Sequence, residues 1–329
     1  MDSLIFALGA VAPIVFMVII GYLLKKLDWM DARFARKANK LVFTAFMPVM
    51  LFLNIYRIED LAGVNWSFIL YVVIALLLIF FVSIPFSIMV ASKKNRRGVL
   101  VQAAFRSGYS LIGIPLAESL YGTEGAIAAT LLSAAVIPLF NVLAVVCLSA
   151  LGSEGGEGVS VKRILLGIVK NPLIIGIVTG LAALGVRTLL ERADIAFRLS
   201  DIGPLFTILQ YLSNLAIPLA LLVLGAQFEF SAVAAMKKEI VFGTAVRTVI
   251  VPVLTIGIAF LFFRDRFGPA HFACFVAVFA TPVAVTTVPM AQEMDGDVTL
   301  AGQLVVWSTL VAAISVFLAS SLLRLGGVL

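Results

Sequence analysis

Residues 107–115 read Ser-Gly-Tyr-Ser-Leu-Ile-Gly-Ile-Pro, inside an apolar run that extends from about residue 99 to residue 121. A run of this length can cross the hydrocarbon core of a bilayer, which takes about 20 helical residues. A proline within such a helix removes a backbone hydrogen bond and frees a carbonyl group. Because the freed group must be satisfied by neighbouring protein or by water, the stretch predicts a broken membrane helix.

A second stretch of the same kind lies nearer the C-terminus. Residues 280–287 read Ala-Thr-Pro-Val-Ala-Val-Thr-Thr, so small and hydroxyl-bearing residues again surround a proline. Discontinuous helices at corresponding positions of two halves of a transporter point to its binding site. The two stretches together therefore predict where a ligand binds.

The whole chain has the composition of an integral membrane protein. Of its 329 residues, 62% are hydrophobic and 13% are charged, whereas soluble domains carry about 25% charged residues. This excludes soluble enzymes, disordered chains and nucleic-acid-binding proteins as descriptions of the whole chain. Two cysteines in apolar runs and a single histidine predict no disulfide, no metal site and no cofactor.

Ten apolar runs have the length of a membrane span. They cover about residues 4–24, 38–56, 66–91, 99–121, 125–150, 163–185, 203–227, 238–262, 270–291 and 298–323. A Gly- and Glu-rich stretch near the middle predicts a flexible cytoplasmic linker over residues 152–161. The linker divides the chain into a first five-helix repeat (1–151) and a second (162–329).

The prolines recur in the same order in both halves. The corresponding pairs are Pro13 and Pro172, Pro48 and Pro218, Pro85 and Pro252, and Pro115 and Pro282. Because the copies are five spans apart, an odd number, the second copy enters the membrane from the opposite side. The pattern predicts an inverted repeat, which is the architecture of many secondary transporters.

The distribution of basic residues predicts the orientation in the cell membrane. One set of alternate loops carries fifteen Lys and Arg residues, and the opposite set with the C-terminus carries seven. Cytoplasmic loops hold the excess of basic residues. The first set is therefore predicted to be cytoplasmic, with both termini extracytoplasmic.

Two basic residues, Arg106 and Arg247, are predicted to lie inside spans, where burying a cation costs roughly 2.5–3.5 kcal/mol on the insertion scale. Arg106 is a candidate for contact with a substrate carboxylate, the alternative being that it snorkels to the cytoplasmic interface or pairs with a helix C-terminus. For Arg247 a structural role between helices is favoured. Glu118 is the acidic residue predicted to lie within a span; it is a candidate carrier of a coupling proton, or it faces the extracellular vestibule.

Neutral polar residues complete the candidate site. Asn141 in the fifth span and Thr281 beside Pro282 are favoured, because mid-span polar groups can satisfy freed backbone groups and an anionic ligand; interhelical hydrogen bonding is the alternative. The predicted substrate-binding residues are Arg106, Ser107, Gly108, Tyr109, Gly113, Pro115, Asn141, Thr281, Pro282 and Thr286.

Over essentially its whole length the chain resembles the auxin efflux carrier family, which includes plant PIN auxin carriers and bacterial proteins described as malate or malonate permeases. The resemblance is carried by Phe105-Arg-Ser-Gly-Tyr with Gly113-Ile-Pro115, Lys170-Asn-Pro-Leu-Ile-Ile-Gly176, Ala216-Ile-Pro-Leu-Ala-Leu-Leu-Val-Leu-Gly225, and Asp295-Gly-Asp297 followed by Trp307-Ser-Thr309.

The resemblance implies an all-α fold of ten membrane helices in two inverted repeats, with broken helices four and nine crossing at Pro115 and Pro282. It implies a scaffold of helices 1, 2, 6 and 7, a transport domain of helices 3–5 and 8–10, and a homodimer formed through the scaffold. Many relatives have Asn where this chain has Gly108. That Asn helps line the substrate site of the plant carriers, so the glycine argues against auxin-like recognition.

The favoured function is transport of a small organic anion, a carboxylate of auxin-like or dicarboxylate type, by alternating access at the crossing of helices four and nine. A sodium- or proton-coupled symporter of bile-acid-carrier type and a transporter-like sensor are the alternatives. No sequence motif supports an intramembrane enzyme, since residues 108–113 have the wrong spacing for a Gly-x-Ser-x-Gly turn.

Overall fold

The computed structural model describes residues 2–58, 65–152 and 168–329, and the regular structure in these residues is helical apart from one isolated backbone bridge. The principal helices are α1 (Asp2–Lys26), α2 (Ala32–Leu41), α3 (Met47–Tyr56), α4 (Trp66–Val90), α5 (Lys94–Phe105), α6 (Ile114–Leu151), α7 (Pro172–Arg192), α8 (Gly203–Gln227), α9 (Lys237–Ala245), α10 (Val251–Phe262), α11 (Pro269–Phe275), α12 (Thr287–Glu293) and α13 (Val298–Leu325). Short helical turns also form at Leu199–Asp201 and Ala232–Ala235. Nearly all of the predicted linker (152–161) and the start of the predicted sixth span lie outside the described residues.

Seven continuous helical stretches among the described residues are long and apolar enough to cross a membrane. They are Ala32–Tyr56, Trp66–Val90, Tyr109–Leu151, Pro172–Arg192, Gly203–Gln227, Lys237–Phe262 and Val298–Leu325. This confirms the predicted all-helical, multi-pass membrane protein. The count of ten spans and the inverted repeat stay predictions.

Helix α6 folds back on itself at Tyr121–Gly122, where the sequence predicts a boundary between two spans. Gly122 has φ +58° and ψ −152°, a conformation that glycine adopts without steric cost. The Tyr109 hydroxyl donates to the carbonyl of Ala129 at 2.7 Å, although twenty residues of uninterrupted helix span about 30 Å. Residues 114–120 and 123–151 are therefore two antiparallel segments.

In the part of the chain that the structure describes, four π-helical turns interrupt the helices, and each ends two residues before a proline. The turns are Val42–Phe46 before Pro48, Tyr109–Gly113 before Pro115, Val246–Ile250 before Pro252, and Val276–Ala280 before Pro282. Proline lacks an N–H group, and its ring clashes with the carbonyl four residues earlier. At Pro48, Pro115 and Pro252, where a helix continues through the proline, the wider π turn accommodates this carbonyl. Before Pro282 the helix ends at Ala280. π turns are frequent at functional sites. Among the predicted proline pairs, Pro115 and Pro282 are the pair in which both members follow a π turn.

Two close helix pairs form one side of the molecule: α1 packs on α8, and α3 packs on α7. Glycines allow the approach, because a Cβ at Gly21 would lie 2.1 Å from the Leu222 carbonyl oxygen and one at Gly176 would lie 2.5 Å from the Pro48 carbonyl oxygen. Helix α3 also packs on α8, so the four helices form one group.

The burial of charged residues differs from the sequence prediction in two places. Arg96, expected in a loop or at a helix end, is buried at the start of α5 and bridges Glu239 at 2.9 Å and Asp297 at 2.8 Å. Arg187 is also buried, and it donates to the carbonyl oxygens of Tyr56 and Ile58 at the end of α3. The partners lie far away in sequence, so local patterns do not reveal the burial.

Candidate functional site

Two interrupted helices meet in the interior of the molecule. After α5 ends at Phe105, residues 106–108 are not helical and pair antiparallel with the segment that follows the π turn before Pro282. The Gly108 N–H donates to the Pro282 carbonyl at 2.8 Å, and the Ala284 N–H donates to the Arg106 carbonyl at 3.3 Å. These bonds satisfy backbone groups that no helix satisfies, as burial within a membrane requires.

The meeting point lies seven residues before the predicted one in the first helix. Pro115, expected at the crossing, is in the first turn of α6, and the pairing involves Ser107 and Gly108 instead. Because the π turn Tyr109–Gly113 accommodates the proline without breaking the chain, the helix breaks at the preceding Ser-Gly pair. In the second helix Pro282 is at the meeting point, as predicted.

Arg247 connects the C-terminal ends of the two helical segments that precede the breaks. Its guanidinium group is fully buried and donates to five carbonyl oxygens, at 2.5–3.4 Å. They belong to Ala104 and Phe105 of the first broken helix and to Val278, Phe279 and Thr281 of the second. Helix C-termini carry about half a negative charge each, so two ends offset one cation. These contacts give Arg247 the structural role predicted for it.

Arg106 is a further buried cation, and its environment differs from that of Arg247. Its Nη2 donates to Asn141 Oδ1 at 2.8 Å, and its Nη1 contacts the Met290 sulfur. Both partners are neutral, and among the described residues Arg106 has no carboxylate within ion-pair distance. Arg106 therefore does not snorkel to an interface; it is 3% exposed.

A cavity of about 60 Å³ lies against Arg106. The broken helices and α6 form its polar wall, to which Arg106, Ser107, Gly108, Tyr109, Asn141, Pro282 and Thr286 of the predicted site contribute. Ile14, Met47, Met50 and Ile217 from α1, α3 and α8 form the apolar wall. The cavity thus separates the four-helix group from the two broken helices.

Within the polar wall, one buried hydroxyl group has no partner among the described residues. Ser107 Oγ is buried and has no hydrogen-bond partner in the described residues. The Tyr109 hydroxyl of the same wall is already bonded to the Ala129 carbonyl at 2.7 Å. The Thr281 hydroxyl, which lies outside the wall, is bonded to the Ala277 carbonyl at 2.7 Å. Buried polar groups are normally hydrogen-bonded, so Ser107 Oγ is available to a ligand.

Three predicted site residues lie away from this cavity. Gly113 and Thr281 do not line it; a Cβ at Gly113 would lie 2.9 Å from the Ala277 carbonyl oxygen, so this glycine permits the close approach of the two π turns. Pro115 lines a larger, open vestibule of about 800 Å³. The vestibule shares Ile14, Met50, Ser110, Leu111 and Ile217 with the cavity and includes Asn54, Arg57 and Asn214.

Glu118 has an exposed side chain and lines neither the cavity nor the vestibule. Among the described acidic residues, the buried one is Glu239 of α9, which pairs with Arg96. No group of three or more His, Cys, Asp and Glu side chains that could hold a metal ion occurs in the described residues. A role of Glu118 in proton coupling stays a prediction.

Sequence reasoning missed four residues at the site. Met290 contacts Arg106, Thr309 lines the cavity, and Ser308 Oγ accepts the Val283 N–H at 3.0 Å. Met50 lines both the cavity and the vestibule. The Trp307-Ser-Thr309 motif pointed to two of them, whereas nothing local distinguishes Met50 and Met290 from other apolar positions.

Multiple apolar helices and an internal polar cavity between broken helices define a multi-pass membrane transporter. The family model described as "Membrane transport protein" matches residues 6–320. The chain belongs to this family, the auxin efflux carrier family that its motifs resemble, and it is a transporter and not an enzyme.

A curated relative supports the same class. The chain is 25% identical over 324 residues to an "Uncharacterized transporter" of Methanothermobacter thermautotrophicus strain Delta H. The match covers 93% of this chain and 94% of the relative.

Proposed function

We propose that the protein carries a small organic anion across the cell membrane and that the anion binds at the cavity beside Arg106. The observation that carries this proposal is a buried guanidinium group with neutral partners in the wall of an internal cavity. A buried cation is costly unless it is paired. An anionic ligand supplies the missing charge, and the planar guanidinium can bind a carboxylate through two parallel hydrogen bonds.

Two further features favour an anion. A helical segment begins at Tyr109, beside Arg106, and the first N–H groups of a helix lack intrahelical acceptors and carry about half a positive charge. The unpartnered Ser107 hydroxyl can donate a hydrogen bond to a carboxylate oxygen. Arg247 is not a candidate for binding the anion, because its guanidinium group already donates to five carbonyl oxygens.

We propose alternating access between the scaffold (α1, α2, α3, α7 and α8) and a transport domain formed by the other helices. On one side of the cavity the vestibule is open. On the other side Gln292 of α12 donates to the Arg36 carbonyl at 3.1 Å and accepts from Gln227 at 3.2 Å. These bonds join the two groups of helices, and we propose that they close the transport pathway on that side.

The ten-span inverted repeat is part of the same proposal. Helical residues occur in every one of the ten predicted runs, and α6 folds back where two runs adjoin. In the proposed repeat α1 corresponds to α7, and α3 corresponds to α8. The packing of α1 on α8 then corresponds to the packing of α7 on α3, as an inverted repeat requires. With both termini extracytoplasmic, the vestibule opens outward and the Gln292 contacts lie on the cytoplasmic side.

The proposal is tested by counterflow in proteoliposomes. Vesicles preloaded with an unlabelled mono- or dicarboxylate should accelerate uptake of the labelled compound, which a channel or a sensor does not do. Arg106→Ala should weaken binding by about tenfold or more, since removing one partner of a desolvated charge pair costs 2–5 kcal/mol. Arg106→Lys should recover part of the affinity.

The matched control is Arg266→Ala, which removes an exposed loop cation and should leave counterflow unchanged. A folded Arg106→Ala protein that binds and transports at the level of the parent protein would contradict the assignment of the site. Absence of counterflow with every carboxylate tried would contradict the transport of organic anions.

We also propose the homodimer implied by the family, with α2, α3 and α8 near its interface. Helix α8 exposes large apolar side chains, among them Ile208 and Tyr211. Native mass spectrometry from mild detergent and from nanodiscs should show a dimer, and monomer in both would contradict it.

A further inference from the structure

A second cavity, of about 260 Å³, lies between α1 and α13. Val18 and Tyr22 of α1, Phe230, and Val306, Trp307 and Leu310 of α13 are among the residues that line it. Helix α1 packs with α8 on the scaffold side, and α13 packs on α12, which follows the second broken helix. The apolar cavity therefore lies where the two groups of helices face each other.

The lining of the apolar cavity offers almost nothing to a polar ligand. The Trp307 N–H is bonded to Gln303 Oε1 at 3.1 Å, and the Thr309 hydroxyl is bonded to the Val305 carbonyl at 2.6 Å. The remaining lining residues are apolar apart from Tyr22. Since the polar side chains are occupied, an apolar occupant fits this space best.

The apolar cavity is continuous with the surface that faces hydrocarbon. Its lining residues Ile19, Phe230 and Leu310 are 45%, 65% and 46% exposed. Residues this apolar and exposed on a membrane-spanning protein contact lipid. A lipid chain can therefore enter from the side, and the apolar cavity borders the cavity beside Arg106 at Ile14 and Thr309, which line both.

Two lysines lie at one end of the apolar cavity. Lys25 Nζ donates to the carbonyl of Phe228, a lining residue, at 3.4 Å, and Lys26 Nζ lies 5.7 Å from the centroid of the Tyr22 ring. They form the last turn of α1, on the side predicted to be cytoplasmic. Basic residues at this depth attract the anionic headgroups of that leaflet.

We propose that the apolar cavity is a binding site for an anionic phospholipid, with an acyl chain between α1 and α13 and the headgroup at Lys25 and Lys26. The combination of a lipid-facing apolar cavity with two cations at one end is what selects this ligand. The site is independent of the identity of the transported anion. A bound lipid lies between scaffold and transport domain and fills space that their relative movement must change.

The test uses the fluorescence of Trp307. Replacing the two exposed tryptophans, by Trp29→Phe and Trp66→Phe, leaves Trp307 as the one tryptophan of the chain. The full-length protein is placed in phosphatidylcholine nanodiscs that contain increasing fractions of phosphatidylglycerol brominated on its acyl chains. Quenching of Trp307 should saturate at a low mole fraction, and brominated phosphatidylcholine should quench it only in proportion to its abundance.

Two variants separate headgroup from chain recognition. Replacing Lys25 and Lys26 by glutamine should raise the half-saturating fraction by roughly fivefold for each lysine. Val306→Phe should remove the saturable quenching by filling the cavity. The control for the lysine variants is replacement of Lys93 and Lys94 by glutamine, since both are exposed on the predicted cytoplasmic side. The control for the cavity variant is Ile314→Phe, on the lipid-facing surface of α13.

Quenching that rises linearly for both lipids, or a saturable phase unchanged in the Lys25 and Lys26 variants, would overturn the proposal. Failure of counterflow would contradict the proposed transport function and leave this measurement unaffected.

Discussion

At the scale of single residues, Gly108 and Gly113 differ although both belong to the same broken helix. A Cβ at Gly108 would meet no atom closer than 3.7 Å, and φ is −73° there. A Cβ at Gly113 would lie 2.6 Å from the Tyr109 ring and 2.9 Å from the Ala277 carbonyl oxygen. One glycine leaves space in the cavity, and the other permits backbone packing.

Gly108→Asn should therefore fold normally and change selectivity. We expect a stability change below about 1 kcal/mol and altered relative affinities for carboxylates, because the amide enters a cavity of about 60 Å³. Gly113→Ala is the comparison and should destabilise the protein by about 1–3 kcal/mol through overpacking. Thermal unfolding in detergent and a ligand screen measure both; equal destabilisation by the two changes would contradict the distinction.

Substitutions of Arg106 and Arg247 should also differ in their effects. Arg247→Met removes the donors of five carbonyl oxygens and should cost about 3 kcal/mol or more of stability, whereas Arg106→Ala should chiefly reduce binding. Arg247→Lys should restore part of the stability, because an ammonium group supplies three donors. Thermal unfolding checks the prediction, and an unchanged midpoint for Arg247→Met would refute the structural role.

At the scale of helices, sequence reasoning located the broken pair but not the point of contact. Proline and small residues mark a weak helix locally, so both segments could be recognised. The pairing of Ser107 with Val283 depends on contacts between distant segments, which no local pattern contains. The burial of Arg96 against Glu239 and Asp297 was missed for the same reason.

The contact between α8 and α12 should control access from the cytoplasmic side. The Gln227 and Gln292 amides are 3.2 Å apart, so cysteines at these positions should be joined by a short thiol-reactive crosslinker, and Cys147 and Cys274 are buried and react little. Crosslinking Gln227→Cys with Gln292→Cys should stop transport and preserve binding from the vestibule. Each single cysteine variant is the control, and transport that continues after complete crosslinking would exclude this contact as a gate.

At the scale of the whole molecule, composition and apolar runs were sufficient to predict a helical membrane protein, whereas the repeated prolines and the family resemblance predicted a transporter. Every span must be apolar and helical to lie in the bilayer, so the same signal recurs along the whole sequence. The cavity walls are different, because α1, α3, α6 and α8 each contribute only a few residues and those residues resemble ordinary core positions.

The orientation can be tested with two exposed positions. Lys93→Cys should react with an impermeant thiol reagent only from the cytoplasmic side, and Asp265→Cys only from the outside. Whole cells and inverted vesicles give the two accessibilities. The opposite pattern would reverse the orientation and would make the vestibule face the cytoplasm.

Arg106 without a counter-ion has an electrical consequence. If the substrate is a monoanion, the loaded site is formally neutral, while the empty site carries one positive charge. Each elementary charge that crosses the full field is worth about 2.3 kcal/mol per 100 mV. The membrane potential should therefore change the rate at which the empty carrier returns across the membrane. It should have almost no effect on the movement of the substrate-bound carrier. Voltage then sets the turnover rate through the return of the empty carrier.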